Sequence, residues 1–183
     1  WLRTSAEIQT LSASGTYRLQ AHDLTNAAGI RALRAPRDSQ NAYWFEYRAR
    51  FADNRWMSNG IGVRRAHSDS ARQSQLLDTT PGSADGKTDS PLVIGRTFSD
   101  PTAGLHVTPT RLLDTDPPSI EVVVHRGAFP ENRPPSIAVT ASATVVPVNG
   151  SVSLQAQGND PDGDALAYAW DFGDGTSGPN QPA

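Results

Sequence analysis

The 183-residue chain contains no cysteine, a single lysine (Lys87) and only four glutamates. Without thiols there is no cysteine nucleophile, no thiolate-bound zinc and no disulfide staple. Cysteine-free chains occur inside and outside cells alike, so compartment stays open on this ground. No apolar run approaches the roughly 20 residues of a membrane-spanning helix. A basic block is missing as well: 16 Lys+Arg stand against 19 Asp+Glu, a net charge of −3, which excludes the electrostatic footprint expected of a nucleic-acid partner. The basic residues other than Lys87 are all arginine, which reads as genome composition bias.

Catalytic patterns are equally scarce. There is no H-E-x-x-H pair, and the four histidines at 22, 67, 106 and 125 are scattered along the chain. A Gly-x-Ser-x-Gly elbow is absent. With Glu7, Glu46, Glu121 and Glu131 as the only glutamates, a carboxylate pair for glycoside hydrolysis has few candidates. Glu46 leads them, and a salt bridge to an arginine on a neighbouring strand accounts for it equally well. The expectation is that this chain is not itself an enzyme. It begins at Trp1 rather than Met and shows no signal peptide, so a fragment or a processed product is expected.

What is abundant is turn chemistry. Fifteen Gly and 14 Pro, with 37% hydrophobic residues, suit short strands joined by tight turns. Residues 7–11 and 16–22 flank Ser12-Ala13-Ser14-Gly15 and read as a hairpin. Residues 30–35 form a further strand, with a short helix from Asn26 as the alternative. Over residues 43–50, Tyr43, Phe45 and Tyr47 alternate with Trp44, Glu46 and Arg48, the strongest strand signal. Residues 61–66, 75–78, 92–98, 105–113 and 119–125 continue the series, and Ile120, Val122 and Val124 share one face of the last. The polar stretch 67–74 reads as a loop. Roughly nine short strands predict a two-sheet sandwich or jelly roll.

The composition changes near Pro130-Glu131-Asn132-Arg133-Pro134-Pro135, where a double proline reads as a stiff linker. Residues 1–131 carry 15 Lys/Arg and 14 Asp/Glu; residues 132–183 carry Arg133 against five Asp. Two domains follow, 1–131 and 132–183. Strands are expected in the second at 136–143, 151–156 and 165–172.

Two motifs lie there. Asn159-Asp160-Pro161-Asp162-Gly163-Asp164 sets three carboxylates at alternate positions of a turn. Calcium would relieve their repulsion and take six to eight oxygens. The spacing starts like an EF-hand loop but has Ala165 at the sixth position and Asp171 at the twelfth, between strands. A calcium-stapled loop and a solvated acidic turn held by Asx hydrogen bonds both remain open. In Trp170-Asp171-Phe172-Gly173-Asp174-Gly175-Thr176, the glycines suit a tight turn that Asp174 caps, and Trp170 would bury its ring between sheets.

With Asn132-Arg133-Pro134-Pro135, the strand at 151–156, the Asp loop and Trp170–Thr176, residues 132–176 resemble a PKD domain (the polycystic kidney disease repeat). The resemblance implies an immunoglobulin-like β-sandwich serving as an extracellular spacer or binding module. It implies calcium as cofactor, held by Asn132, Asp160, Asp162 and Asp164. It also implies an incomplete sandwich, since the family continues with two more strands beyond the Gly-Asp-Gly corner. The first segment is similar to the β-rich region behind the catalytic domain of secreted zinc metallopeptidases of the gametolysin and immune-inhibitor-A kind. The features are Gly15–Leu19, Tyr43–Arg48, Gln75–Ser83 and Leu92–Gly104.

The expected function is therefore that of a secreted bacterial accessory region. It would position an upstream catalytic domain on a protein or surface substrate, with calcium stiffening the hinge. Two rivals stand: an adhesive protein self-associating by β-strand exchange, and a carbohydrate-binding module using Trp44 and Trp56 on a polysaccharide. Packing of Trp44 against another domain is the blander reading of that residue.

Overall fold

The computed structural model describes residues 5–51, 53–67, 74–129, 131–164, 166–174 and 176–182, with the side chains of 177 and 179–182 left aside. The first segment runs through β1 (Ile8–Thr10), β2 (Gly15–Gln20), β3 (Ala32–Pro36), β4 (Asn41–Glu46), a one-turn helix α1 (Arg55–Ser58) and β5 (Gly60–His67). It continues with β6 (Ser74–Leu76), β7 (Leu92–Val93), β8 (Phe98–Asp100), β9 (Leu105–Leu113) and β10 (Ser119–Arg126). The second segment holds β11 (Ser136–Ala141), β12 (Leu154–Asn159), β13 (Ala167–Asp171) and β14 (Ser177–Pro182).

One sheet has the order β1-β3-β4-β5-β6, with β7 also paired to β5; the other runs β2-β10-β9-β8. Their inner faces meet. Leu33, Phe45, Ile61 and Val63 from the first sheet pack with Leu19, Leu105, Val107, Ile120 and Val122 from the second, all fully buried. The expected sandwich is thus present and closed around one core. Its period-2 alternation is as expected: Tyr43, Phe45 and Tyr47 are buried while Trp44 and Glu46 are half-buried, and Val123 is exposed between buried Val122 and Val124.

The hairpin expected around residues 12–15 is not formed. β1 pairs in parallel with β3, while β2 pairs with β10 in the opposite sheet. The turn is an arch between layers, and Leu11, fully buried, holds it by donating its N–H to the Arg34 carbonyl at 2.8 Å. Residues 92–98 likewise form two strands rather than one. β7 lies on β5 and β8 on β9, with the crossing at Gly95, whose φ is +84°. No helix starts at Asn26; the chain turns there and enters β3. The loop expected at 67–74 has His67 as the end of β5 and Ser74 as the start of β6, and 68–73 lie outside the described residues.

The second segment forms two antiparallel ribbons, β11–β12 and β13–β14. The last strand, β14, was not foreseen. Ala167 packs on the core of the first segment, where a Cβ on Gly95 would sit 3.4 Å from its methyl group. Arg55 on α1 approaches Asp171 to 3.8 Å. The ribbons therefore lean on the sandwich.

Candidate functional site

The Asp-rich loop follows β12. Its first carboxylate builds the turn: Asp160 Oδ1 accepts the N–H groups of Asp162 (2.8 Å) and Asp164 (3.3 Å), and the Gly163 N–H donates to the Asp160 carbonyl at 3.2 Å. This is an Asx turn, which needs no ion to form. Asp162 instead faces the linker. The Arg133 backbone N–H donates to its Oδ2 at 2.7 Å, and the guanidinium Nε and Nη2 donate to its Oδ1 at 2.9 and 2.8 Å. Nη2 also reaches the Pro161 carbonyl at 2.6 Å. The Arg133 guanidinium, with its backbone N–H second, holds the Asp162 carboxyl below the usual carboxylate range.

Asn132 is exposed, one residue before that arginine. Among the described residues no three His, Cys, Asp or Glu side chains converge as metal ligands do. As folded here, two of the loop's carboxylates already have partners. Asp162 is engaged by a cation already, and one oxygen of Asp160 is committed to the turn's own amides.

Trp44 lies on the outer face of the larger sheet. Cross-strand register sets it opposite Arg34 on β3 and Arg64 on β5; Thr10 faces Arg34, and Leu76 faces Arg64 from the far side. A row of residues thus crosses five strands, with Trp44 between two arginines, of which Arg64 turns its Nε to Glu46. Residues opposite each other in such a row are neighbours on one face. In the adjacent row, Glu46 accepts from Arg48 at 2.8 Å and Arg64 at 3.4 Å. The salt bridge to a neighbouring-strand arginine is therefore present.

Trp56 is placed elsewhere. It sits on α1, capped by Asn54, with the Arg55 guanidinium 4.6 Å from the centre of its ring. α1 precedes Gly60, four residues before Arg64, a separation of roughly 13 Å along the strand. The structure brings Trp44 together with arginines rather than with Trp56.

The glycine corner behaves largely as expected. Gly173 has φ +76°, and Asp174 accepts from the N–H and hydroxyl of Thr176 at 2.8 and 2.5 Å. Gly175 lies outside the described residues. Trp170, however, is not enclosed between sheets. It stacks on Phe172 at 6.5 Å between ring centres, and the two line an open groove of about 450 Å³ with Val152, Leu154 and Gly178. The ribbons leave this side uncovered, which also exposes Ile137, Val139 and Phe172.

Sequence reasoning missed Arg133 and Arg34. Both were visible as basic residues, but their partners are set by pairing over distance, Arg133 with a loop 29 residues away and Arg34 with another strand.

These features define an all-β chain with a packed sandwich and an acidic β-ribbon segment. Residues 136–183 match the PKD domain family. That domain is a non-catalytic, immunoglobulin-like β-sandwich of extracellular proteins. The match does not reach the first segment, so the metallopeptidase-like reading of residues 1–131 rests on sequence resemblance. No curated protein and no solved structure matches the chain. Among the described residues, no helix is long and apolar enough to cross a membrane.

Proposed function

We propose that this chain is the non-catalytic accessory region of a secreted, metallopeptidase-like bacterial protein, binding a protein or surface substrate and holding a catalytic domain near it. Tethering of this kind raises effective concentration without adding chemistry. The observation that supports the reading best is the Arg34–Trp44–Arg64 row. It sets a half-buried aromatic residue between two arginines on the outer face of the sheet. Such a face suits acidic or ring-bearing groups of a polymer, through stacking and charge-assisted hydrogen bonds. The lean of the second segment on the first, through Ala167 and the Arg55–Asp171 approach, fits a rigid positioning arm better than a loose tether.

The test is retention of the full chain on insoluble protein substrates and on insoluble acidic and neutral polysaccharides. Retention is expected on at least one of them, with Trp44→Ala reducing it at least tenfold while the melting temperature holds. Passage of the native chain through all of them overturns the reading.

The open groove beside Trp170 favours a second reading, self-association through the ribbons. Half-exposed Val152, Leu154 and Phe172 beside unpaired strand edges invite an added strand. Light scattering over a concentration series separates the two: growth in mass supports assembly, and a constant monomer mass removes it.

A further inference from the structure

We propose that Arg133 serves the second segment as a built-in cation, tying the linker to the Asp160–Asp164 loop in place of a bound divalent ion. Asp160, Asp162 and Asp164 put three formal negative charges within five residues of one turn, which favours a positive group beside it. Arg133 is the only Lys or Arg among residues 132–183, against five Asp, and it is found on that turn.

Its contacts satisfy the geometry that an ion would otherwise serve. Both Asp162 oxygens accept from it, one from the backbone N–H and one from two guanidinium nitrogens, and the adjacent Pro161 carbonyl accepts a further bond. These are two kinds of oxygen, carboxylate and main-chain carbonyl, that calcium also takes. A planar guanidinium brings five fixed donors and stays charged at every working pH. It is covalently part of the linker, so the tie needs no ion concentration to form. A divalent ion seeking Asp162 must first displace it and then sit beside a fixed positive charge.

Arg133→Met removes the donors while keeping an unbranched apolar stem. Two measurements on the full chain decide the matter: thermal unfolding in chelator and in millimolar calcium, and the backbone amide NMR signals of residues 133, 160 and 162–164. The native chain is expected to melt within about 1 °C in both solutions, with those signals unmoved by calcium. Arg133→Met is expected to melt roughly 2–5 °C lower in chelator. It should also acquire calcium-dependent amide shifts at residues 160 and 162–164, because Asp162 is released between Asp160 and Asp164 in the sequence.

A native chain whose loop signals shift saturably with calcium, or whose melting rises by several degrees, overturns the proposal. So does an Arg133→Met chain that melts like the native one. Should Arg133→Met not fold, Asp162→Asn reads the same contact from the other side. It is expected to melt lower and to ignore calcium, and an unchanged melting temperature overturns the proposal.

Discussion

The Tyr43 hydroxyl donates to the Asp100 carboxylate at 2.8 Å, joining β4 of one sheet to β8 of the other inside the sandwich. The same oxygen accepts from Arg37 Nε at 3.0 Å, and the other accepts the Ala103 N–H at 3.1 Å. Burial alone would push the Asp100 carboxyl up; Tyr43, the Ala103 amide and Arg37 together bring it below its usual range. Tyr43→Phe should cost about 1–3 kcal/mol, because a buried charge loses one donor. Asp100→Ala, which orphans the hydroxyl and the amide and leaves Arg37 with one carboxylate fewer, should cost more. Urea unfolding of the three chains checks the order.

Gly60 is irreplaceable for a steric reason. A Cβ there would lie 2.5 Å from the Leu92 carbonyl oxygen and 2.8 Å from that of Trp56, both backbone atoms that cannot rotate aside. Gly60→Ala should destabilise the sandwich by about 1–3 kcal/mol, the range for overpacking. Chemical denaturation at constant slope measures it.

His22, behind β2, is shifted below its ordinary pKa of 6.5, by burial first and against the pull of Glu46, with Arg48 adding to the lowering and Asp23 opposing it. A histidine depressed in the folded state binds its proton more readily when unfolded. Its contribution to stability is whole above pH 6.5 and is lost as pH falls through the folded value. The melting temperature should drop on going from pH 7.5 to pH 5, and His22→Gln should flatten that slope. Parallel slopes in the two chains would contradict it.

Asp38 organises the turn between β3 and β4. Its carboxyl is brought from 3.8 to about 2, first by the Asn41 side chain, with the Gln40 amide, Arg37 and the Asn41 amide adding to it. The sign is that of a depressed carboxylate: the turn is fully supported above pH 3.8 and loses support as the pH approaches 2. Carboxyl NMR titration should place its midpoint well below those of exposed aspartates, and Asn41→Ala should raise it.

The sequence by itself determined what depends on near neighbours. The two-residue period of Tyr43-Trp44-Phe45 and of Ile120–Val124 told which side chains enter the core, because successive side chains of a strand must face opposite ways. The span of β9 was readable, and so were the strand character of the chain, the cap at Asp174, the Asx turn at Asp160 as one of two open readings, and the PKD resemblance over residues 132–176, which the family match places at 136–183. Tertiary structure alone decided which strands meet. Turn residues near 12–15 and 95 can close a hairpin or carry the chain between layers, and the choice falls to the arch because Leu11 and Ile94 gain burial against residues far away in sequence. The same holds for charge. Over residues 132–183 the sequence showed five aspartates and one arginine, but only the fold set Arg133, rather than its neighbour Asn132, against Asp162, since a guanidinium finds its carboxylate through space and not along the chain.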